Sequence, residues 1–382
     1  MRCPPETTFD YELPRERIAQ FPAAASGGRE RARLLCYERR AAPRCIVDKI
    51  FSDLPALLNR GDVLVLNNSR VIPVRFFGRK AEGGSEVEIL LLRRCAVHET
   101  AVHESAVHEN SVLRNDVWEA LARPMRKLRL AERVHLSPRI SGVVLGRTEC
   151  GGKLLLQLEV RRASQFDDGS GAAASPDCRL LIEEDGSMPL PPYIRDGRAE
   201  LADREFYQTV FASQPGSLAA PTAGLHFTAA LLGELNELGV EAAYLTLHVG
   251  EASFLSEERQ AAGVAAETFN IPSETISAVL QAKKHGCRVI AVGTTSVRAL
   301  ETWGAAPEQF AAGRTHATAL HIIPGFRFRV VDALLTNFHQ PGTTHLSLVS
   351  AFAGINVVSQ MYEHALRNGY RFLSYGDAMF IS

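Results

Sequence analysis

The sequence lacks the features that would assign it to a class from composition alone. Its seven cysteines include no C-x-x-C pair, which argues against a zinc ribbon, and their odd number argues against a disulfide framework. The first twenty residues contain no apolar core that could serve as a secretion signal. Lys and Arg (42) nearly balance Asp and Glu (43), so net charge gives no sign of a polyanionic partner. We therefore expect a cytoplasmic protein with free thiols.

Charged residues are also missing from two long stretches, 206–233 and 333–362. Neither is expected to span a membrane, because Gln, Asn, His, Pro and Gly interrupt both. A buried core would explain them, but His226, Asn337, His339 and His345 lie within them, and each buried polar group needs a partner. The two stretches therefore predict a core that also contains a ligand pocket.

The secondary structure that the sequence predicts changes twice along the chain. From residue 61 to about 182, short β-type runs such as 62–67 and 178–184 alternate with Gly, Pro and charged turns, which is typical of an antiparallel barrel or sandwich. After a Pro-rich linker, helical and strand patterns alternate to the end. We predict a large α/β domain, residues 1–60 plus 186–382, with an inserted antiparallel β-barrel domain, residues 61–185.

A pentapeptide repeat at 96–110 places His98, His103 and His108 five residues apart. On a helix, five residues advance the ring direction by about 140° beyond a full turn. On a strand, an odd spacing puts neighbours on opposite faces. Neither geometry brings three ligands together, so we expect no metal site here.

The segment GSLAAPTAGLHFT, 216–228, surrounds His226 with small or apolar residues. Pro221 and Gly224 favour a turn, and Thr228 is a suitable N-cap for the helix that follows. His226 thus lies just before a helix N-terminus, where free backbone N–H groups favour anionic ligand atoms. A structural role and a catalytic role are both consistent with this position.

Four other strand ends carry polar groups. VIAVGTTSVR places Thr294, Thr295, Ser296 and Arg298 after a buried strand, and LTLHVG ends a strand with His248. LLTNFHQPGTTH and LSYGDAM add further polar side chains at two more turns. Because ligands of α/β sheets bind at the carboxyl ends of strands, these segments together predict a single pocket.

The motifs NNSRVIPVRFFGRK, MPLPPYIR, APTAGLHFT, LTLHVG, AVGTTSVRALET and YRFLSYGDAM resemble, in order, those of the S-adenosylmethionine:tRNA ribosyltransferase-isomerase family of queuosine biosynthesis. The resemblance runs from Phe9 to the C-terminus. It implies that the ribosyl part of S-adenosylmethionine moves onto 7-aminomethyl-7-deazaguanine at the tRNA wobble position. The sugar isomerises to give epoxyqueuosine, with release of adenine and methionine. S-adenosylmethionine would be a consumed co-substrate. We expect no cofactor, metal or membrane partner, and a monomer.

That chemistry removes a proton from the ribose 5′ carbon beside the sulfonium, so a base is required. His226 and His248 are the candidates, and Asp377 either holds an ammonium group or caps the final segment. Arg298 is expected to clamp the methionine carboxylate. The predicted substrate-binding residues are Thr222, Thr294, Thr295, Ser296, Arg298, Asn337, His339 and Tyr375.

Two basic segments assigned to the barrel, NNSRVIPVRFFGRK and RPMRKLR, are candidates for holding tRNA phosphates. The predicted contacts are Arg70, Arg75, Arg126 and Lys127. An ordinary solvated strand face is an equally good explanation of these charges.

The sequence departs from the family pattern at four places. Asn68 replaces an aspartate, Ala252-Ser253 replaces Gly-Thr, Ala265 replaces a histidine, and residues 340–344 replace an LPxST motif. These departures keep an inactive tRNA-binding homologue as one alternative. An S-adenosylmethionine-dependent RNA methyltransferase is the other, although the Gly-rich turn expected of it is missing.

Overall fold

The computed structural model describes residues 9–39, 45–95, 116–148, 152–160, 178–254 and 265–382. The repeat at 96–110 and the loop at 163–177 lie outside these ranges. The chain divides into two compact units, Met1–Val71 with Leu190–Ser382, and Ile72–Pro189. The described strands, numbered along the chain, are β1 Arg33–Tyr37, β2 Ile46–Ile50, β3 Val63–Asn67, β4 Ser69–Val71, β5 Arg75–Lys80, β6 Glu86–Cys95, β7 Val117–Arg123, β8 Arg133–His135, β9 Ile140–Arg147, β10 Leu154–Val160, β11 Gln214–Ser217, β12 Glu241–Leu247, β13 Glu267–Asn270, β14 Val289–Val292, β15 His316–Thr318, β16 Ala333–Asn337 and β17 Ala378–Ile381.

The larger unit is built on a nine-stranded sheet with the order β15-β13-β12-β3-β14-β16-β17-β1-β2. Its centre, β12, β3, β14 and β16, is parallel, and β17 pairs antiparallel with β16. Strands β3, β14 and β16 are buried along their whole length. Their nearly continuous apolar sequences are explained by this position, because a parallel sheet is covered on both faces.

Helices cover both faces of that sheet. The described helices are α1 Cys178–Asp185, α2 Asp203–Phe206, α3 Ala229–Glu237, α4 Ser273–Lys284, α5 Thr294–Ala305, α6 Thr344–Ala353 and α7 Ile355–Arg367. Leu231 and Leu235 of α3 belong to one apolar cluster, whereas α4 to α7 contribute to the cluster on the other face. No helix in the described ranges is both long and apolar enough to span a membrane.

The smaller unit is a closed barrel of six antiparallel strands in the order β10-β7-β6-β5-β8-β9. A close backbone approach within it requires Gly78, since a Cβ there would lie 2.5 Å from the His135 carbonyl oxygen. The predicted fold class, a large α/β domain with an inserted antiparallel β-barrel, is confirmed.

Two local predictions are wrong. Residues 61–71 were assigned to the barrel, but β3, which lies within this range, is a central strand of the larger sheet. Its apolar side chains are buried because the sheet is covered on both faces. Residues 178–184 were read as a strand but belong to α1. Cys178, Leu181 and Ile182 are its buried residues, a spacing that matches one face of a helix.

Candidate active site

Polar residues from several segments meet at one edge of the nine-stranded sheet. The four central strands are parallel neighbours, so their carboxyl ends lie side by side. Strand β17 runs the other way, which brings Asp377, the residue before it, to the same edge. Ligands of open α/β sheets bind outside this edge. The structure therefore brings together the strand ends that the sequence singled out.

His226 ends a 3-10 turn, Thr222–His226, that precedes α3. The Thr228 hydroxyl accepts the Leu231 amide at 3.1 Å and so acts as the predicted N-cap. The His226 imidazole is 4% exposed and packs against Phe51, with 5.0 Å between ring centroids. Its Nε2 lies 3.3 Å from Nδ2 of Asn337 at the end of β16. His226 is thus packed into the core and tied to a second strand end.

The side chain of Asn337 joins three of the converging segments. Its Oδ1 accepts the Thr222 hydroxyl at 2.9 Å, and its Nδ2 lies 3.4 Å from the main-chain carbonyl of Asp377. A carbonyl only accepts hydrogen bonds, so this contact assigns the amide nitrogen to that side. Nδ2 then donates to Nε2 of His226. His226 is therefore a neutral imidazole whose hydrogen is on Nδ1.

The surroundings of His226 favour the same neutral state. Its pKa is lowered to about 3, chiefly by burial and then by the charges of Arg371 and Arg29, while a hydrogen bond to the Arg29 backbone acts in the opposite direction. The Arg29 guanidinium donates to the carbonyls of Gln208 at 2.8 Å and Leu225 at 3.1 Å. This cation is thereby fixed beside the turn that carries His226.

His248 follows β12 and is half-buried. Its Nδ1 is shielded from solvent and has no hydrogen-bond partner among the described residues. Burial lowers the pKa of the ring below its ordinary value. The ring lies over Gly216, where a Cβ would come within 3.1 Å of Cε1 and 3.2 Å of Nδ1. His248 thus has a half-buried ring whose lowered pKa keeps it neutral near pH 7, as a general base requires, while its Nδ1 is covered in this conformation.

Asn67, the last residue of β3, links the strand ends on either side. Its Oδ1 accepts the Leu247 amide at 3.0 Å and its Nδ2 donates to the Leu247 carbonyl at 2.9 Å. Nδ2 also lies 3.3 Å from Oγ1 of Thr295, whose own hydroxyl hydrogen is left for another acceptor. Asn67 was missed as a site residue, although it occupies the same strand-end position as Asn337.

The hydroxyls at the start of α5 differ in their partners. Thr294 Oγ1 lies 3.1 Å from Nδ1 of His345, in the first turn of α6. The Ser296 hydroxyl donates to the Val292 carbonyl at 2.8 Å, and Ser296 is fully buried. The Ser296 hydroxyl is thus bonded to the last residue of β14, and it would have to release that carbonyl to make the predicted substrate contact.

His339 and His345 stack, with 5.4 Å between their ring centroids. Nε2 of His339 lies 2.9 Å from the Thr336 hydroxyl. Burial, and next the nearby His345, hold the pKa of His339 well below its ordinary value. The described residues contain no group of three or more His, Cys, Asp or Glu side chains placed to hold a metal ion.

Arg298 forms a buried ion pair with Glu267, and each side chain is 9% exposed. The guanidinium also donates through Nε to the Leu320 carbonyl at 3.1 Å. The second carboxylate oxygen of Glu267 accepts the Gly250 amide at 3.2 Å. The carboxylate clamp therefore stays a prediction, and Arg298 would have to release Glu267 before it could bind a substrate anion.

The carboxylate of Asp377 is engaged by the main chain. One oxygen accepts the amide of Arg33 at 2.9 Å and the other accepts the amide of Arg371 at 2.7 Å. This geometry corresponds to the capping alternative for Asp377. The hydroxyl of Tyr375 donates to Asp203 at 2.6 Å, so it too has a partner within the protein.

A cavity of about 10 Å³ lies beside His226, and its wall includes Arg29, Leu225 and Tyr375. This volume suits one water molecule. This cavity cannot admit a sugar.

The cations predicted to contact tRNA are found in different surroundings. Arg70 lies in β4 of the larger unit, half-buried, and not in the barrel. Arg75 is 3% exposed, and its Nε lies 3.1 Å from a Glu88 oxygen. Arg75 would therefore have to leave Glu88 and its buried position before it could make the phosphate contact predicted for it.

Arg126 and Lys127 are both exposed, in the 3-10 turn Met125–Lys127 of the barrel. The segment 123–133 around them contains five Arg or Lys residues and one Glu. These two side chains therefore remain suited to the contact predicted for them.

Two departures from the family pattern keep a local hydrogen bond. The Asn68 Oδ1 accepts the Thr246 hydroxyl at 2.7 Å, so an amide oxygen supplies an acceptor without the charge. Thr343 accepts the Leu346 amide at 3.4 Å as the N-cap of α6. Ala265 is exposed. The side chains of Ala252 and Ser253 lie outside the described residues.

Comparisons with known proteins agree over nearly the whole chain. A family model described as queuosine biosynthesis protein matches residues 6–381. The chain is 43% identical to the S-adenosylmethionine:tRNA ribosyltransferase-isomerase of Pelobacter propionicus, over 98% of both chains. It is 42% identical to the enzyme of the same name from Aromatoleum aromaticum, over 98% of this chain and 96% of that one. The crystal structure of an S-adenosylmethionine tRNA ribosyltransferase from Thermotoga maritima is similar, with 33% identity and a TM-score of 0.50, over 98% of this chain and 99% of that one.

Proposed function

The chain belongs to the queuosine biosynthesis protein family, and from that membership we propose that it is an S-adenosylmethionine:tRNA ribosyltransferase-isomerase. It transfers the ribosyl moiety of S-adenosylmethionine to 7-aminomethyl-7-deazaguanine at the wobble position of tRNA and isomerises it. The products are epoxyqueuosine-tRNA, adenine and methionine. S-adenosylmethionine is a consumed co-substrate in this proposal, which requires neither a further cofactor nor a metal.

The edge of the nine-stranded sheet is the observation that carries the proposal. The last residues of β3 and β16 are linked there to other segments by hydrogen bonds. Asn67 of β3 bonds to Thr295 of α5, and Asn337 of β16 bonds to Thr222. This is the position at which open α/β sheets bind nucleotide-like ligands. Full-length relatives that are named for the reaction support the choice of chemistry.

His248 is the residue we assign as proton acceptor at the ribose 5′ carbon. Its ring is half-buried and not enclosed as that of His226 is, and its lowered pKa keeps it neutral near pH 7. His226 is less suited, because it is 4% exposed, its Nε2 accepts from Asn337, and the cavity beside it is about 10 Å³. We therefore assign His226 to holding the strand ends together.

Thr294 and Thr295 are the residues we assign to the substrate hydroxyls. They begin α5 where the free N–H groups of the helix end are found, and Thr295 is half-buried. The Thr295 hydroxyl accepts a hydrogen bond from Asn67, so its own hydrogen can be donated to an acceptor on a ligand. A ribose hydroxyl is such an acceptor.

The tRNA contact is assigned to the exposed turn that carries Arg126 and Lys127. Exposed cations on a barrel surface bind phosphates by releasing counterions, which makes the affinity depend on salt. We further propose that the protein acts in the cytoplasm and that it is a monomer. Sedimentation of the purified protein would test the oligomeric state.

Mass spectrometry of the tRNA product tests the proposed function. The protein is incubated with S-adenosylmethionine and tRNA that carries 7-aminomethyl-7-deazaguanine. Ribosyl transfer adds the epoxycyclopentanediol and releases adenine, and this result is expected. Addition of a methyl group would instead identify an RNA methyltransferase. Unchanged tRNA that still binds the protein would identify an inactive tRNA-binding homologue.

A further inference from the structure

The turn that carries His248 is held by two side chains from different parts of the larger unit. The residues that follow His248 are Val249 and Gly250, and each main-chain N–H donates to a side-chain oxygen. Loops at the ends of strands are otherwise free to move on the surface. Two such contacts in successive residues restrict where the imidazole can lie.

Ser217 holds the turn at Val249. Its hydroxyl accepts the Val249 amide at 3.0 Å and donates to the Ala219 carbonyl at 2.7 Å, and Ser217 is fully buried. The Leu218 amide donates to the Val249 carbonyl at 3.0 Å. Both main-chain groups of Val249 therefore bond to the segment 217–218.

Glu267 holds the turn at Gly250. One carboxylate oxygen accepts the Gly250 amide at 3.2 Å, and the other is paired with the Arg298 guanidinium. Arg298 is in turn fixed by the carbonyls of Leu320 at 3.1 Å and Thr318 at 3.4 Å. Arg298 thus holds the Glu267 carboxylate while it is itself held by two main-chain carbonyls.

We infer that Glu267 is a positioning residue for His248: its carboxylate, oriented by Arg298, holds the Gly250 amide and thereby the turn from which the imidazole projects. This inference rests on the proposed function for its effect on turnover. It also gives the Arg298–Glu267 pair a role other than anion binding, since both side chains are 9% exposed and fully engaged with each other and with the backbone.

The position of the His248 ring explains why fixing this turn affects turnover. The His248 imidazole lies over Gly216, where even one added carbon would sit 3.1 Å from Cε1. A base must lie within hydrogen-bond reach of the proton it removes. A shift of about 1 Å in such a group lowers the rate by about a hundredfold. Loosening the turn therefore slows the chemical step more than it weakens substrate binding.

The test compares Glu267→Ala, Glu267→Gln and a matched control, Glu301→Gln. Glu301 is also a buried carboxylate in the larger unit, 1% exposed, and it accepts the amides of Arg329, Val330 and Val331 at 2.8–3.0 Å. Circular dichroism and the midpoint of thermal unfolding establish that each variant is folded. Turnover is then measured well below that midpoint, as kcat and as KM for S-adenosylmethionine.

We expect Glu267→Ala to lower kcat by about tenfold to a hundredfold while KM changes by less than about threefold. Glu267→Gln, which keeps an oxygen for the Gly250 amide, should retain more activity than Glu267→Ala. Glu301→Gln should lower the unfolding midpoint without this loss of kcat. An unchanged kcat in folded Glu267→Ala, or a raised KM with normal kcat, would overturn the positioning role.

Nuclear magnetic resonance of the His248 ring separates this inference from the proposed function. The ring signals are assigned by their loss in His248→Gln, using protein labelled at histidine. Glu267→Ala should shift or broaden them, and Glu301→Gln should not. If the wild-type protein forms no product, the proposed function fails while these signals still decide whether Glu267 positions the ring. Unshifted signals in Glu267→Ala would contradict the inference even in an active enzyme.

Discussion

Nδ2 of Asn337 lies 3.3 Å from Nε2 of His226, although the two residues are 111 positions apart in the chain. The same amide nitrogen also faces the Asp377 carbonyl, which fixes its identity as the donor. One side chain thus fixes the orientation of the His226 ring and joins three segments at the edge of the sheet.

Asn337→Asp should raise the pKa of His226 from about 3. A carboxylate in place of the amide puts a negative charge beside Nε2, and such a charge raises a pKa by about 1 to 3 units. The titration of the His226 ring signals measures the shift. Thr222→Val is the control, because it removes only the donor to Oδ1 of Asn337. A titration of His226 that is the same in Asn337→Asp as in the wild type would contradict this contact.

The stability of the protein should fall as the pH drops below about 6.5. The folded pKa of His226 is lowered from 6.5 to about 3, so between these values the unfolded chain binds a proton that the native state does not. The free energy of unfolding then decreases with falling pH, by up to about 1.4 kcal/mol per pH unit for this group.

Chemical denaturation at pH 7, 6, 5 and 4 measures this slope. His226→Gln should show a shallower decrease than the wild type across the same range, because it lacks the group that titrates. Equal slopes in the two proteins would show that His226 is not held neutral in the native state.

Gly216→Ala should impair turnover through its contact with His248. The added Cβ would come within 3.1 Å of the ring, and Gly216 has a φ of 140°, which disfavours other residues. Gly233→Ala in α3 is the matched control, since its Cβ would meet nothing within 4 Å, and alanine should stabilise that helix by about 0.5–1 kcal/mol. Turnover and unfolding are measured for both. Normal kcat in Gly216→Ala would mean that the ring has room to move aside.

Arg126→Glu/Lys127→Glu should weaken tRNA binding and reduce its dependence on salt. Each lost phosphate contact lowers the slope of log K against log salt by about 1. Arg367→Glu in α7, an exposed arginine of the larger unit, is the control. Filter binding at several salt concentrations measures the slopes. A slope equal to that of the wild type would exclude this turn from the tRNA contact.

Strand ends were predictable from the sequence because periodicity and turn residues are local signals. The segments around His248, Thr295 and Asn337 each showed an apolar run followed by polar residues, and parallel strands then bring them together. The place of β3 was not predictable in this way, because an apolar run of four residues fits a barrel as well as a central strand.

Partner choice between distant side chains was the other part that the sequence did not reveal. Arg298 was expected to bind a substrate carboxylate, but Glu267 lies 31 positions away and pairs with it. Arg75 was expected at the surface, but it is 3% exposed and lies against Glu88. Both outcomes depend on contacts across the fold, which composition and spacing do not specify.

The rate of product formation by His248→Gln in a single turnover, with enzyme in excess over tRNA, tests the central claim most directly. If His248 removes the proton from the ribose 5′ carbon, this rate should fall by about 10² to 10⁴ relative to the wild type in a folded protein that still binds S-adenosylmethionine. A His248→Gln protein that forms epoxyqueuosine-tRNA within about twofold of the wild-type rate would contradict the assignment of His248 as the base.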